Sequence, residues 1–408
     1  MQSKIKEAVL RQIRSRAEES PAEYATRIPA LSPEAAASVS VREAQFSDFE
    51  RVCAMNRRLG QGADSVENWQ RLWRDNPALL VGNRAPRIGW VLEASGEIVG
   101  FLGSIPLTYE FEGQTLAAAA TCRFAVEPVF RGLSHILVTS FFRQKDVDLF
   151  LNTTATVAAG KIMMALRAAQ VPQPNYGAVL FWVLKPQSFL KSVLQKTGVG
   201  GGLSSMGGYA ASLPLRADIL LRRRKPKRSS GEYRTVESEL AAIGTEFEAF
   251  WAARSANGSQ LFASRSNEIM RWHFDPPGSR RVSRMIGCYW KDLLVGYAVV
   301  RHDALKDDGL HRSVIADLMT NNDHAAEIVD CLLAASYASA SNAGSDVLEV
   351  MGFPASIRDT LLKQKPYSRD YPLCPFFFKA RERALQEKLA SESVWYASPF
   401  DGDATLWP

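Results

Sequence analysis

The sequence predicts an α/β (α+β) protein of two domains, each a mixed, mostly antiparallel sheet flanked by helices. Three observations carry that expectation. The chain has 408 residues, beyond the length at which a single hydrophobic core usually keeps growing, so two domains are the default. Between residues 40 and 190 the apolar periodicity runs β-α-α-β-β-β-α-β-α-β, with hairpins first and helix–strand alternation later. Finally, a shift of 196 residues carries Val99-Gly100-Phe101 onto Val295-Gly296-Tyr297 and the strand end at Val126 onto Asn322, and brings Leu149-Phe150-Leu151 within two residues of Val347-Leu348-Glu349-Val350. One offset that aligns a hairpin, a strand end and a later strand points to a duplicated domain.

The divisions that follow are an N-terminal helical extension (1–39), a first domain (40–195), a Gly-rich and basic linker (196–240), a second domain (241–385) and a C-terminal tail (386–408). In the extension, Ile5, Val9, Leu10 and Ile13 share one side of a short helix that fits docking onto its own protein. Val41 to Ala44 reads as a strand, and Ser47 with Glu50 as a capping box opening a helix to Leu59. Ser65 caps a second helix with Val66, Trp69, Leu72 and Trp73 on one face. A Ser95-Gly96 turn joins strands 89–94 and 98–105, and a strand from Thr115 to Glu127 is closed by Pro128. Then come a helix over 133–145, a strand over 147–151, a helix over 158–170 and a strand over 178–184. The second half repeats the hairpin at 285–300 and a strand at 313–319, after which Asp323 or Asn322 caps an ordinary helix.

Composition excludes several classes. No run of 18 apolar residues exists, so no membrane span is expected. The first seven residues have no apolar core after their basic residues, and the five cysteines stand singly with no CxxC, which together predict a cytoplasmic protein. The five histidines show no HxxxH spacing, so no metal site is expected. The glycines of 198–208 lack the Gly-Lys-Ser/Thr of a nucleotide loop, and Asp401-Gly402-Asp403 is too small a cluster for calcium. The net charge of +6 is confined to Arg222, Arg223, Arg224, Lys225, Lys227 and Arg228, leaving 43 cations against 43 carboxylates elsewhere. That distribution reads as a solvated linker, and makes nucleic acid an improbable partner for the folded domains.

The most informative segment is Val126-Glu127-Pro128-Val129-Phe130-Arg131-Gly132-Leu133-Ser134-His135-Ile136-Leu137, where a strand hands over to a helix start suited to a diphosphate. It resembles the phosphate-binding signature of the GNAT acyltransferase superfamily, whose pattern is Val-x-Pro-x-aromatic-Arg-Gly-x-Gly-x-Gly/Ala. Val126, Pro128, Phe130, Arg131 and Gly132 fit; Ser134 stands in place of Gly, and β-branched Ile136 in place of Gly or Ala, which narrows a phosphate's approach. The resemblance implies two GNAT-like folds and a co-substrate, acetyl-CoA or another acyl-CoA. It also implies a diphosphate cradle of Arg131, Gly132, Leu133, Ser134, His135 and Ile136, with the pantetheine arm against Phe124, Ala125 and Val126. Asn152 would face the cofactor, or else cap the next helix.

The reaction so implied is acyl transfer from a thioester to an amine of a small molecule, an amino sugar or a peptide, which needs a base and an acid. Glu127 is a candidate base or water-orienting carboxylate, and equally fits a solvated strand end. The helix over 158–170 lacks the family's tyrosine, leaving Tyr176 as the nearby phenol. Cys122 reads as a buried thiol, and His273, Trp272, Tyr289, Trp290 and Tyr297 as packing residues. Two other readings keep the fold: a Fem-like transferase using aminoacyl-tRNA, with the basic run contacting the tRNA, and a non-catalytic pair acting as a binding module. Acceptor, acyl chain and oligomeric state are not legible.

Overall fold

Ser95 and Gly96 both adopt left-handed backbone, the conformation a two-residue hairpin loop requires, and so join β2 (Gly89–Ala94) to β3 (Glu97–Phe111). A second turn at Glu112-Gly113, again left-handed at both positions, returns β3 into β4 (Gln114–Val126). The computed structural model describes residues 39–407 apart from 63, 81–86, 197–214, 216–217, 220–223, 227–230, 257, 277–280, 304–308, 322 and 371–374. The expected extension helix, the Gly-rich stretch and most of the basic run lie outside the described residues.

The first half continues the predicted order. β1 (Val39–Glu43) precedes α1 (Phe49–Arg58) and α2 (Val66–Trp73). After β4 come α3 (Ser134–Phe142), β5 (Leu149–Asn152), α4 (Val157–Ala165), β6 (Ala169–Gln170), β7 (Ala178–Val183) and α5 (Pro186–Lys196). Ser65 caps α2 by accepting from Asn68 N at 3.1 Å. The capping box ahead of α1 falls on Gln45 and Asp48 rather than on Ser47 and Glu50. Arg42 grips Asp48 through two hydrogen bonds of 2.7 and 2.9 Å, and the box lies two residues earlier than expected. α4 stops short of the expected Gln170, because Arg167 turns left-handed and leads into β6.

In the second half β8 (Tyr233–Glu239), α6 (Thr245–Ala256), β9 (Phe262–Ala263) and α7 (Asn267–Phe274) precede the hairpin of β10 (Val282–Trp290) and β11 (Leu293–His302). β12 (Arg312–Thr320), α8 (Ala325–Asn342), β13 (Val347–Val350), α9 (Ala355–Lys363), β14 (Tyr367–Asp370), β15 (Phe377–Ala380) and α10 (Arg383–Lys388) follow among the described residues. The residue capping α8 is left-handed His324, not Asp323, and it makes no side-chain cap; Asn322 lies outside the described residues.

Two sheets result, of orders β1-β2-β3-β4-β5-β15-β6 and β14-β7-β13-β12-β11-β10-β8, with β9 added to β3. Read from opposite ends, they correspond strand for strand. Each contains one parallel neighbour pair, β4 with β5 and β12 with β13, in an otherwise antiparallel ladder. The sixth position is exchanged. β15, from near the end of the chain, pairs with β5 in the first sheet, and β7, from the first half, pairs with β13 in the second. The ranges 40–195 and 241–385 therefore each donate a strand to the other's sheet. Each half would leave a sheet edge and a row of unpaired amides if cut at those bounds.

One continuous core joins the two sheets and α8, running from Tyr109, Ala118 and Leu151 to Ile286, Val299, Leu318 and Leu332. The α3/α4 face of the first sheet has its own cluster around Phe141 and Phe150, and the α1/α2 face another around Trp73 and Phe101.

Candidate active site

The parallel pairing of β4 with β5 covers Ala118, Ala119 and Ala120 against Leu149, Phe150 and Leu151. β4 continues to Val126 while β5 ends at Asn152, so Thr121 to Val126 have no described strand on that side. A bulge at left-handed Arg123 marks where the strands part, and shifts the register of β4 against β3 between Phe101 and Gly103. Phe124, Ala125 and Val126 lie on this diverging stretch and Asn152 at the end of β5.

Val126 leads through Glu127 into a 3-10 turn, Pro128–Leu133, with the proline at its first position where no amide is missed, and the turn runs straight into α3. Arg131, Gly132 and His135 are exposed, Leu133 and Ile136 half-buried, and Ser134 buried. Arg131 Nε donates back to Val126 O at 3.4 Å, folding the guanidinium over the strand end. His135 Nδ1 sits 3.0 Å from Gly132 O. A Cβ built at Gly132 would meet nothing within 4 Å, so backbone there faces open space, as a phosphate cradle requires. The predicted cradle residues are thus contiguous at the amino end of α3, beside the free stretch of β4.

Glu127 Oε1 accepts from Arg58 Nε at 2.7 Å, so this carboxylate is ion-paired at the rim. Asn152 is buried and its Oδ1 accepts from Thr154 N at 3.3 Å, which makes it the cap of the turn after β5. Tyr176 is buried in the connection after β6, where its hydroxyl donates to Ser398 O at 3.2 Å. Cys122 is buried on the opposite face of β4, and desolvation pushes its thiol well above the ordinary range.

The C-terminal segment, expected to be a tail, is built into the fold instead. Residues 395–406 are mostly buried, and they pass from Gln173 and Tyr176 across to the end of β5. Gln173 clamps Ala397 through both its amide atoms, at 2.8 and 3.0 Å. Asp401 accepts from the Tyr109 hydroxyl at 2.6 Å and from Ser398 N at 2.7 Å; burial raises its carboxyl to about 6. Left-handed Gly402 packs so tightly on Thr153 that a Cβ would come within 2.5 Å of its side chain. This delivers Asp403 to Thr153 and Thr154, whose hydroxyls each donate to Asp403 Oδ1 at 2.9 Å. Burial raises the Asp403 carboxyl too, against those hydrogen bonds and one from Trp407. The Trp407 ring lies under the Arg123 guanidinium, 4.0 Å from its centroid, which ties the segment to the bulge of β4. The available signal was the aromatic and apolar flanking of the acidic pair by Trp395, Tyr396, Phe400, Leu406 and Trp407.

In the second sheet, β12 pairs with β13 from Arg312 to Ile315 and runs on to Thr320, so the same divergence exists. Here the chain's own residues fill it. Fully buried Asp317 accepts from Arg265 at 2.8 and 3.0 Å and from the Tyr297 hydroxyl at 2.6 Å, and Tyr396 donates to Leu318 O at 2.6 Å. Tyr297 and His273 are core residues, as expected, the latter bonded to Thr405 and kept neutral by burial.

Two sheets, each with one diverging parallel strand pair and flanking helices, give this chain a GNAT-like fold. No protein-family model and no curated protein matches the chain. Among solved structures it is similar to a GCN5-related N-acetyltransferase from Anabaena variabilis, at 11% identity and TM-score 0.53, over 84% of this chain and 72% of that one. A probable N-acyltransferase from Enterococcus faecalis is similar at 10% identity and TM-score 0.53, over 84% and 72%. So is Saccharomyces cerevisiae N-myristoyltransferase with bound myristoyl-CoA, at 13% identity and TM-score 0.51, over 91% and 84%. At such identities the likeness is one of fold.

Proposed function

We propose that the chain is an acyl-CoA-dependent N-acyltransferase, using acetyl-CoA or a longer acyl-CoA and acylating an amine of a small molecule, an amino sugar or a peptide. The observation that carries this reading is the stretch Thr121–Val126, unpaired on its β5 side among the described residues and running into an exposed Arg-Gly turn, with a filled equivalent in the other sheet. Bound acyl-CoA would supply the activated acyl group as a thioester.

The chain's own groups divide the remaining work. Backbone of Phe124, Ala125 and Val126 offers the ladder positions that β5 leaves open. Arg131, with Gly132, Leu133, Ser134, His135 and Ile136 at the positive end of α3, balances a diphosphate. Asn152 fixes the turn that carries Thr153 and Thr154. Asp403 is the proposed proton acceptor for the amine, since its buried carboxylate is anchored at the end of β5 and burial raises its proton affinity above that of a free carboxylate. Glu127, held by Arg58, is assigned to orienting water at the rim, and Tyr176 to fixing the segment that bears Asp403.

Thermal unfolding with and without acyl-CoA tests binding: at 100 times its dissociation constant a ligand stabilises by about 2.7 kcal/mol. Asp403→Asn should lower kcat by about 10²- to 10⁴-fold while leaving that shift intact. In the wild type kcat/KM should fall as pH drops through the raised Asp403 titration, because the protonated carboxyl can take no proton from the amine. Full activity in Asp403→Asn, with loss in Glu127→Gln, would move the role to Glu127.

A further inference from the structure

An open cleft of about 700 Å³ lies at the edge of the first sheet, within the usual size range of small-molecule sites. One wall is α4, the other the connection 171–177, and its floor is Phe377 of the exchanged strand β15. Val157 and Met164, at 58% and 56% exposure, turn toward it from the same helical face as Lys161. Large apolar side chains left uncovered beside a concave wall mark a surface that something covers. Lys161 is the charged residue among the described lining residues, no carboxylate accompanies it, and no described residue forms an ion pair with it. The cleft therefore favours a ligand with an apolar body and an anionic group.

Its position relative to the candidate site narrows the ligand further. Phe377 pairs directly with Asn152 on one side and with Gln170 on the other, so the cleft's floor sits one strand spacing from β5 and its Gln170 side two, about 10 Å. Phe377 also packs against Gly160, where a Cβ would come within 3.0 Å of the ring, so α4, floor and Asn152 are locked together. The free stretch of β4, where the acyl donor is placed, lies on the far side of β5 from this cleft.

The geometry points to this cleft as the acceptor site, taking a carboxylate-bearing, peptide-like amine whose apolar end rests on Val157 and Met164 and whose carboxylate meets Lys161. This inference rests on the acyltransferase reading and specifies its substrate class. Three residues of extended chain span about 10 Å, so a tripeptide bridges cleft and strand end.

The test is titration of the full chain with Ala-Ala-Phe and with its C-terminal amide, without acyl-CoA, alongside a separate titration with acyl-CoA. The free acid should bind about two- to fivefold tighter than the amide, the worth of one exposed ion pair. Lys161→Glu should erase or invert that preference, and Met164→Asp should weaken both peptides about tenfold, with acyl-CoA affinity unchanged in each variant. Both side chains are exposed, so neither change threatens folding. No binding of Ala-Ala-Phe, equal binding by wild type and both variants, or a loss confined to acyl-CoA would overturn the assignment. Peptide binding as expected without any acyl-CoA binding would instead sink the acyltransferase reading and leave the cleft standing as a peptide site.

Discussion

The two parallel strand pairs, β4–β5 and β12–β13, share a topology and differ in what stands beside them. At the first, β4 diverges next to an exposed Arg131-Gly132 turn, and the end of β5 carries Thr153 and Thr154 with Asp403 between them. At the second, the corresponding stretch 316–320 is sealed by the Arg265–Asp317 pair, Tyr297 and Tyr396, and α8 starts from a left-handed histidine with no arginine or glycine at hand. One fold thus supplies the same gap twice. The chain's own side chains seal one copy, while at the other the Arg131-Gly132 turn beyond the strand end is exposed. The C-terminal segment serves both ends of this division, since Tyr396 and Ser398 reach the sealed gap and Asp403 the open one.

Four variants would break or sharpen this contrast. Asp317→Ala strands the Arg265 charge in a dry interior and should cost about 3–5 kcal/mol, read as a lowered denaturant midpoint. A loss below about 1 kcal/mol would mean that the second gap does not depend on the pair. Arg131→Glu, on an exposed turn, should leave the unfolding midpoint alone and weaken acyl-CoA binding about 10- to 100-fold, or about 1.4–2.7 kcal/mol. Asp401, whose folded value near 6 exceeds its ordinary 3.8, holds a proton in the folded state that the unfolded chain releases between those values. Its contribution is therefore complete at low pH and fades as pH rises through 6. From pH 7.5 to 4.5 the wild type should gain about 2 kcal/mol relative to Asp401→Asn, measured by parallel urea melts. Ile136→Ala should have the smallest effect, tightening acyl-CoA about two- to fivefold by clearing the approach to the helix start; weaker binding would show that Ile136 packs the turn instead.

Much of the fold was legible because its signals are local. Ser95-Gly96 and the Pro128 stop each act within a few residues of chain, and they place the hairpin and the strand-to-helix handover where the sequence puts them. The strand exchange was not legible. β7 (Ala-Val-Leu-Phe-Trp-Val) and β15 (Phe-Phe-Lys-Ala) are both short apolar runs, and nothing local says which sheet each completes. The proposed cradle residues could be named from sequence because they are consecutive, whereas Asp403 lies 250 residues from Thr153 and takes its meaning from a tertiary contact. The basic run also reads differently in part. Arg224 bonds Asp218 at 2.8 Å and stacks on Tyr367, so at least this cation is committed to the fold rather than to a tRNA.

The most direct test is amide hydrogen exchange on the full chain, with and without saturating acyl-CoA. Added protection is expected at Phe124–Val126 and Gly132–Ile136, with unchanged exchange over Ala316–Thr320. Protection appearing at the second junction, or at neither, would contradict the claim that the first strand pair alone is built to receive the donor.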